Sequence, residues 1–302
     1  MSYRIGSLNC LNYNYGSNKN PDMFARIILD NNMDIIALQE IKRQSAIDAI
    51  LRRLGKNWMG ECDGEVCDYA FIWNTRRVHL PEVLTDAAKR INHPRLYKQY
   101  RRFGYASLVR PPYFARFTPK GLPGGANFEI RILNTHVRFS KGATDEDDDS
   151  PGAIKMRKNE VEMLTKAIYT KEADTVYGDN MAAYTILLGD YNLNKRDSGA
   201  GSPYIEEEFV EIIDGRNVKH IVTVQSELTT LKKSTAHDGL SYANNYDHVT
   251  YDAKRYEGAS VTVSRIDAVG KYYNNDFDRY RDEVSDHLPI LIELELNPRR
   301  YK

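Results

Sequence analysis

Apolar and polar residues alternate along the chain in two periods, one typical of strands and one typical of helices. Tyr3–Cys10 and Asp34–Gln39 are short, mainly apolar runs of the strand type. Pro21 begins a segment with apolar residues at helical spacing, and Gln44–Leu54 repeats that spacing until Gly55 ends it. This order of strand, helix, strand and helix predicts an α/β fold built in layers.

The remaining pattern contains more strands than helices. The clearest helix is Ala153–Thr170, whereas Lys195–Lys233 has no definite pattern. Asp145–Asp149 is a run of acids that predicts a solvated loop, and a Ca²⁺ site there would lack the spacing of an EF-hand. Further strands are predicted at Tyr69–Trp73, Tyr105–Arg110, Tyr113–Phe117, Phe128–His136, Tyr184–Leu188, Tyr246–Tyr251 and Ile290–Leu296.

Chemically active side chains stand next to four of these apolar runs. The runs are Asp34–Glu40, Leu133–His136, Ile186–Asn194 and Ser285–Ile290, and the side chains are Glu40, His136, Asp190, Asn192, Asp286 and His287. A strand that presents a polar group at its end is a rigid support for an active site. Taken singly, each residue also fits a cap, a turn or a solvated surface. Their joint occurrence predicts one hydrolytic centre that uses a hard divalent cation.

Three of the strand-end residues suit a metal site. Mg²⁺ prefers oxygen ligands and keeps several waters, so one or two carboxylates are sufficient. Glu40 is the first candidate, Asn9 can add an amide oxygen from the end of the first strand, and Asp286 is a further ligand. Such an ion would neutralise charge on a phosphoryl group and on the leaving oxygen. Mn²⁺ or Ca²⁺ could substitute or assist.

The other residues suit the movement of protons and the binding of phosphate. Asp190 and Asn192 can point to the same side of an extended segment, one to orient or deprotonate water and the other to donate to phosphate. His287 and His136 would contact the phosphate or the leaving group. Asp247 is the candidate partner that keeps His287 charged, because an adjacent carboxylate favours imidazolium.

Length and composition predict one domain, residues 1–302, because no linker rich in Pro, Gly or Ser divides the 302 residues. The 42 basic and 42 acidic residues cancel, which removes a global positive field as an argument for nucleic-acid binding.

No run approaches about 18 apolar residues, and Met1–Cys10 lacks the apolar core of a secretory signal. We therefore expect no membrane association and a cytoplasmic location.

The three cysteines match no zinc motif. Reduced thiols fit a cytoplasmic protein, and a Cys62–Cys67 disulfide that closes a loop is the alternative.

These motifs resemble the endonuclease/exonuclease/phosphatase superfamily over nearly the whole chain, from Ile5 to Ile292. The resemblance implies a four-layer α/β/β/α sandwich with two packed mixed β-sheets and a Mg²⁺-dependent phosphoesterase. The matching positions are Asn9 and Glu40 (metal pair), His136, Asp190 and Asn192 (GDxN), Asp247, and Asp286 with His287 (SDH).

Asn134–His136 stands where abasic endonucleases have a tyrosine motif, which argues against that branch. Two features resemble the deoxyribonuclease I branch instead: Tyr246–Asp247 before an apolar strand, and Val109–Phe117, which resembles a segment whose arginine contacts the DNA backbone. This second resemblance makes Arg110 a candidate phosphate contact. In that branch a glutamate supports the first histidine, and it should lie near residues 65–68. Cys67 occupies the aligned position, and Glu65 and Asp68 are close to it in sequence.

Substrate contacts are predicted in a basic segment and near the first strand. Lys89–Arg102 contains no acid and could follow a phosphate backbone, although a solvated basic loop is the alternative. The candidates are Arg110, Tyr13, Arg95, Lys98 and Arg101.

The sequence thus predicts a Mg²⁺-dependent nuclease that hydrolyses DNA and perhaps RNA. The alternatives are a phosphatase or phosphodiesterase for inositol phosphates or a lipid headgroup such as sphingomyelin, and a non-catalytic binding module.

Overall fold

The computed structural model describes residues 1–14, 16–85, 88–97, 108–121, 128–139, 151–177, 182–194, 209–214, 217–224, 227–232, 241–256 and 258–296. The strands are Ser2–Tyr13 (β1), Ile35–Ile41 (β2), Trp58–Cys62 (β3), Tyr69–Asn74 (β4), Val78–His79 (β5), Glu82–Thr85 (β6), Ala88–Ile91 (β7), Arg95–Leu96 (β8), Tyr113–Pro119 (β9), Phe128–His136 (β10), Ala182–Asp190 (β11), Phe209–Asp214 (β12), Asn217–Val224 (β13), Asp247–Asp252 (β14), Ser260–Arg265 (β15) and Ile290–Glu295 (β16). The helices are Pro21–Asp30 (α1), Gln44–Leu54 (α2), Pro151–Glu162 (α3), Thr170–Asp174 (α4), Ala268–Tyr273 (α5) and Phe277–Glu283 (α6), with a π-helical segment, Met163–Tyr169, between α3 and α4.

The strands form two large mixed sheets. The first has the order β15-β16-β1-β2-β4-β3, and the second has the order β12-β13-β14-β11-β10-β9-β5, with β8 also paired to β9. In each sheet one central pair is parallel, β1 with β2 and β10 with β11, and the neighbours are antiparallel. Both parallel pairs therefore bring the ends of consecutive strands to the same edge.

Three apolar cores separate four layers. Alternate residues of β2 face opposite ways: Ile36 and Leu38 pack against the helices, whereas Ile35 and Ala37 pack against the second sheet. Outside the second sheet, residues of α3 and of the π-helical segment pack on Leu133 and its neighbours. This arrangement confirms the predicted four-layer α/β/β/α sandwich.

Most predicted elements are present, with some differences. The predicted helix Ala153–Thr170 runs through α3 and the π-helical segment into α4. Leu108–Arg110 is not a strand, and the segment without a pattern contains β12 and β13. The acidic run at residues 145–149 lies outside the described residues. In the described part of the chain, no helix is long and apolar enough to cross a membrane.

A buried polar contact joins the two sheets beneath the site. Gln39 Nε2 donates to Asn134 Oδ1 at 2.7 Å, and Asn134 Nδ2 donates to the backbone oxygen of Leu38 at 2.9 Å. Both side chains are fully buried. Because buried polar groups are costly unless they are paired, this contact favours one alignment of the two sheets.

Candidate active site

The strand ends depart from regular geometry where they carry the site residues. Glu40 and Asn192 have positive φ angles of 57° and 50°. Gly189, beside Thr135 on β10, has a φ of 133°, and a Cβ there would lie 2.0 Å from the Thr135 oxygen. Strained backbone of this kind is concentrated at functional sites.

One carboxylate oxygen lies at the centre of the site. Asp190 Oδ2 is 3.7 Å from Nε2 of His136, 3.7 Å from Nε2 of His287 and 3.1 Å from Nδ2 of Asn9. Glu40 Oε1 lies 3.7 Å from His136 Nε2. The side chains predicted from distant parts of the chain therefore meet at one place.

Asn9 holds two carboxylates together. Its Nδ2 donates to Glu40 Oε1 at 2.9 Å as well as to Asp190, and its Oδ1 accepts the backbone N–H of Leu11 at 3.0 Å. The Asn9 oxygen keeps a second lone pair beside that hydrogen bond, so its predicted role as an amide ligand to a metal stays a prediction. The nitrogen faces the two acids.

His287 is held between acids. Its Nδ1 lies 2.8 Å from Asp247 Oδ2, as expected for the predicted partner. Burial lowers the pKa of His287, but the Asp247 and Asp190 carboxylates outweigh it and raise that pKa well above its ordinary value. The imidazole is therefore charged at neutral pH. Ser285 fixes its backbone, since Ser285 Oγ accepts the His287 N–H at 3.0 Å.

His136 has a cation as its partner instead. Nη1 of Arg110 lies 2.8 Å from Nδ1 and 3.0 Å from Nε2 of its ring. Burial and then Arg110 lower the pKa of His136 well below its ordinary value, so the ring is neutral. The expected acid near residues 65–68 does not support the ring by a hydrogen bond: Asp68 forms an ion pair with Lys42 at 3.5 Å.

Asp190 is poised for proton transfer. Burial raises its pKa to about 7, against the opposing effect of the His287 charge. Its Oδ1 accepts the N–H of Asn192 at 2.9 Å, which leaves Oδ2 facing the two imidazoles. Asn192 Nδ2 donates to the Val137 oxygen at 2.7 Å, so its orientation is fixed by the end of β10. A carboxylate with a pKa near 7 is matched to the task of a general base.

The site opens into a cleft of about 510 Å³. Asp286 and His287 lie in its wall, and three cations, Lys42, Lys232 and Arg110, line it as well. Acids at the centre with cations around them suit a substrate that carries phosphate.

Glu40 and Asp286 fit a hydrated divalent ion. The two oxygens of Glu40 accept one hydrogen bond each, from Asn9 and from the backbone N–H of Asn12, and each oxygen has a second lone pair. The Asp286 side chain is 36% exposed at the same cleft. Among the described residues, no group of three His, Cys, Asp or Glu side chains forms a metal cage. Carboxylate oxygens of this kind suit a hard divalent cation that keeps most of its waters.

Two of the predicted substrate contacts lie away from the cleft. Tyr13 is 2% exposed and stacks on Phe24 at 5.0 Å in the core, because the β1 end turns it under α1. Arg95 lies over Phe114 at 5.4 Å, on the outer side of the second sheet. Lys98 and Arg101 lie outside the described residues. Arg110 alone of the five lines the cleft in the described part of the chain.

The cysteine expectation was wrong for two residues. Cys62 and Cys67 form a disulfide, and Cys10 is a buried thiol. The short hairpin between β3 and β4 brings the two cysteines together, with Cα atoms 5.9 Å apart.

Sequence reasoning missed several cleft residues. They are Asn12, Lys42, Phe139, Lys232, Asn244 and Tyr246. A signal existed for Lys42 and Phe139, which follow Glu40 and His136 by two and three residues. Lys232 lies in the segment without a pattern.

Comparison with solved structures supports the fold. An endonuclease/exonuclease/phosphatase family protein from Bacteroides thetaiotaomicron is 15% identical, with 100% of this chain and 98% of that one covered and a TM-score of 0.52. The chain has the fold of the endonuclease/exonuclease/phosphatase superfamily. Other structures with the endonuclease/exonuclease/phosphatase fold include ANGEL2, a 2′,3′-cyclic phosphatase (16% identity, 98% and 96% covered, TM-score 0.55), and mannosyl-6-phosphatase from Bacteroides thetaiotaomicron (15%, 97% and 100%, 0.51). No protein-family model and no curated protein sequence matches the chain.

Proposed function

We propose that this protein is a divalent-metal-dependent nuclease that hydrolyses phosphodiester bonds in DNA, and in RNA where its loops admit it. The observation that carries the proposal is the position of Asp190 Oδ2, 3.7 Å from the Nε2 atoms of both His136 and His287. A carboxylate between a neutral and a charged imidazole can take a proton from water on one side while positive charge is held on the other.

Each residue has a defined task in this proposal. Asp190 orients and deprotonates the attacking water. His287, kept charged by Asp247, stabilises the negative charge that grows on the phosphoryl oxygens. Asn192 and the neutral His136 donate to the same group or to the leaving oxygen.

Charge neutralisation needs further groups. Glu40 and Asp286 would hold the divalent ion, which supplies Lewis-acid stabilisation of the phosphoryl charge when bound. Asn9 positions Glu40 against Asp190. Arg110 lies against His136, where a substrate phosphate would meet its guanidinium.

A phosphatase acting on a sugar phosphate, an inositol phosphate or a lipid headgroup such as sphingomyelin is the second candidate. The likeness to a mannosyl-6-phosphatase supports it, because the same fold there acts on a small phosphate ester. The cations of the cleft are also compatible with a terminal phosphate.

A substrate panel tests the two candidates. Plasmid DNA, single-stranded DNA, RNA, inositol phosphates, mannose 6-phosphate and sphingomyelin would be incubated with protein and Mg²⁺, and again with EDTA. We expect cleavage of a nucleic acid that stops with EDTA and with the Asp190→Asn variant. Release of phosphate or phosphocholine from the small substrates alone would replace the nuclease by the second candidate. EDTA-resistant cleavage would contradict the metal requirement.

A further inference from the structure

The aromatic ring of Phe139 lies in the cleft wall and outside the core clusters of the described residues. Phe139 follows the end of β10, is half-buried, and lines the cleft. Phe139 belongs to none of the three apolar core clusters formed by the described residues. Within the described part of the chain, the ring of Phe139 contacts Arg157 and Tyr246 and lines the cleft.

A buried arginine supports the ring from behind. Cζ of Arg157 lies 4.2 Å from the Phe139 ring centroid, and Nη1 of Arg157 donates to the Phe139 backbone oxygen at 3.1 Å. Arg157 is fully buried, so it holds both the ring and the backbone from the protein side. Since the guanidinium covers one face, the parts of the ring left for the cleft are the other face and the edge. The ring is thus fixed before any ligand arrives.

The ring also lies close to the reacting groups. Val137, two residues earlier, accepts the hydrogen bond of Asn192. Tyr246, next to the histidine-supporting Asp247, has its ring centroid 6.4 Å from that of Phe139 at an angle of 48°. Two residues of extended chain span at most about 7 Å, so the ring stands within one nucleotide of the phosphate that Asn192 would contact.

We propose that Phe139 is a stacking platform for the nucleobase that flanks the scissile phosphodiester, and that the enzyme therefore acts on unstacked, single-stranded nucleic acid. The inference rests on the proposed nuclease function and specifies its substrate. Flat aromatic rings bind bases of any identity through their π-faces. A base in a duplex has both faces covered by its neighbours, so it reaches such a platform only after it is unstacked.

Two classes of competing substrate lack the group that this platform would recognise. Sugar phosphates and inositol phosphates have no planar aromatic ring to lie on Phe139, whereas the quaternary ammonium of phosphocholine would bind an aromatic face by a cation–π contact. The cations Lys42, Arg110 and Lys232 suit any phosphate and do not discriminate between the classes. Phe139 therefore favours nucleotides over sugar and inositol phosphates, and the sphingomyelin arm of the substrate panel tests the choline ester separately.

The test compares matched oligonucleotides on matched variants. The substrates are a single-stranded DNA 12-mer, the same 12-mer of tetrahydrofuran abasic units, its duplex and an RNA of the same sequence, all with Mg²⁺. The variants are Phe139→Leu, which keeps an apolar side chain, Phe139→Trp, which keeps a stacking face, and Tyr272→Leu as control. Tyr272 is a partly buried aromatic with Arg26 5.2 Å from its centroid, on the outer helix layer.

We expect the wild type to show at least about a 10-fold higher kcat/KM on the single strand than on the abasic strand or the duplex, as expected from the usual strength of base stacking. Phe139→Leu should abolish the preference over the abasic strand, Phe139→Trp should keep it, and Tyr272→Leu should leave it unchanged. Faster cleavage of RNA or of DNA would identify which nucleic acid is the substrate. A Phe139→Leu preference equal to the wild type's, or an equal loss on all substrates, overturns the platform.

Binding separates this inference from the nuclease proposal. Fluorescence anisotropy in EDTA measures the affinity of the wild type and of Phe139→Leu for the labelled normal and abasic strands. Tighter binding of the normal strand that depends on Phe139 supports the platform even if the substrate panel shows no cleavage. Equal binding of both strands by the wild type overturns it even if the panel shows a nuclease.

Discussion

Nδ1 of His287 lies 2.8 Å from Oδ2 of Asp247, although 40 residues separate them in the chain. His287 precedes β16 of the first sheet and Asp247 begins β14 of the second, so this hydrogen bond crosses between the sheets. Both residues are buried, His287 at 8% and Asp247 at 1% exposure. The charge of the imidazole is therefore set by the way in which the two sheets pack.

Loss of either central group should abolish catalysis without unfolding the protein. We expect His287→Ala and Asp190→Asn each to lower kcat by about 10²- to 10⁴-fold on the substrate identified by the panel, the usual contribution of a proton-transfer group. The double variant should be scarcely worse than either single one, because groups that act as a unit are not additive. Kinetics checks this, with circular dichroism as the control for folding. Full additivity would mean that the two residues act separately.

The pKa values of the two histidines of the site should be shifted in opposite directions. In metal-free protein, ¹⁵N NMR of the rings at pH 7 should show His287 as imidazolium and His136 as neutral imidazole, in line with their raised and lowered pKa values. The stability that His287 contributes is present below its ordinary pKa and is lost as pH rises through the raised one.

Variants at each partner provide the controls for this titration. Asp247→Asn removes the carboxylate and should lower the pKa of His287, while Arg110→Gln removes a cation and should raise the pKa of His136. A His287 that is neutral at pH 7 in the wild type would contradict its predicted role.

Gly189 should be the least replaceable glycine of the site. An alanine Cβ would lie 2.0 Å from the Thr135 backbone oxygen, and the φ of 133° is strained for any L side chain. We expect Gly189→Ala to lower the free energy of unfolding by about 3 kcal/mol or more. Gly55→Ala is the matched control: φ is 88° but no atom lies within 4 Å of its Cβ, so only backbone strain, about 2 kcal/mol, is expected. Urea unfolding measures both, and equal losses would rule out the contact with Thr135.

The Cys62–Cys67 disulfide should contribute modestly to stability. The cysteines are separated by five residues in sequence, and a loop this short restricts the unfolded chain only weakly. We expect reduction, or Cys62→Ala with Cys67→Ala, to lower the free energy of unfolding by about 2 kcal/mol. Mass spectrometry after alkylation, with and without reductant, checks the bond. Alkylation of both cysteines without reductant would show that it does not form.

The apolar periodicity of the sequence was sufficient to predict a layered α/β fold, and the family resemblance supplied the number of layers. β2 illustrates why: Ile35 and Ala37 alternate with Ile36 and Leu38, and a strand buried on both faces needs apolar residues on both. The same local rule placed Glu40, His136, Asp190 and His287 at strand ends, where polar residues interrupt apolar runs. It could not place Tyr13 correctly, because a bend at the end of β1 turns that ring into the core.

Contacts between residues far apart in sequence were decided by the tertiary structure alone. The hydrophobic pattern by itself determined the order of strands and helices and which side chains stand at the strand ends, because burial acts on each segment locally, whereas the two-sheet sandwich was expected from the family resemblance. It did not determine that Arg110 lies within hydrogen-bond distance of His136, that Asn9 faces Glu40 with its nitrogen, or that Phe139 lies on Arg157. Those pairings depend on how the sheets and loops pack, since hydrogen bonds and charge contacts act only over a few ångströms between groups already brought together.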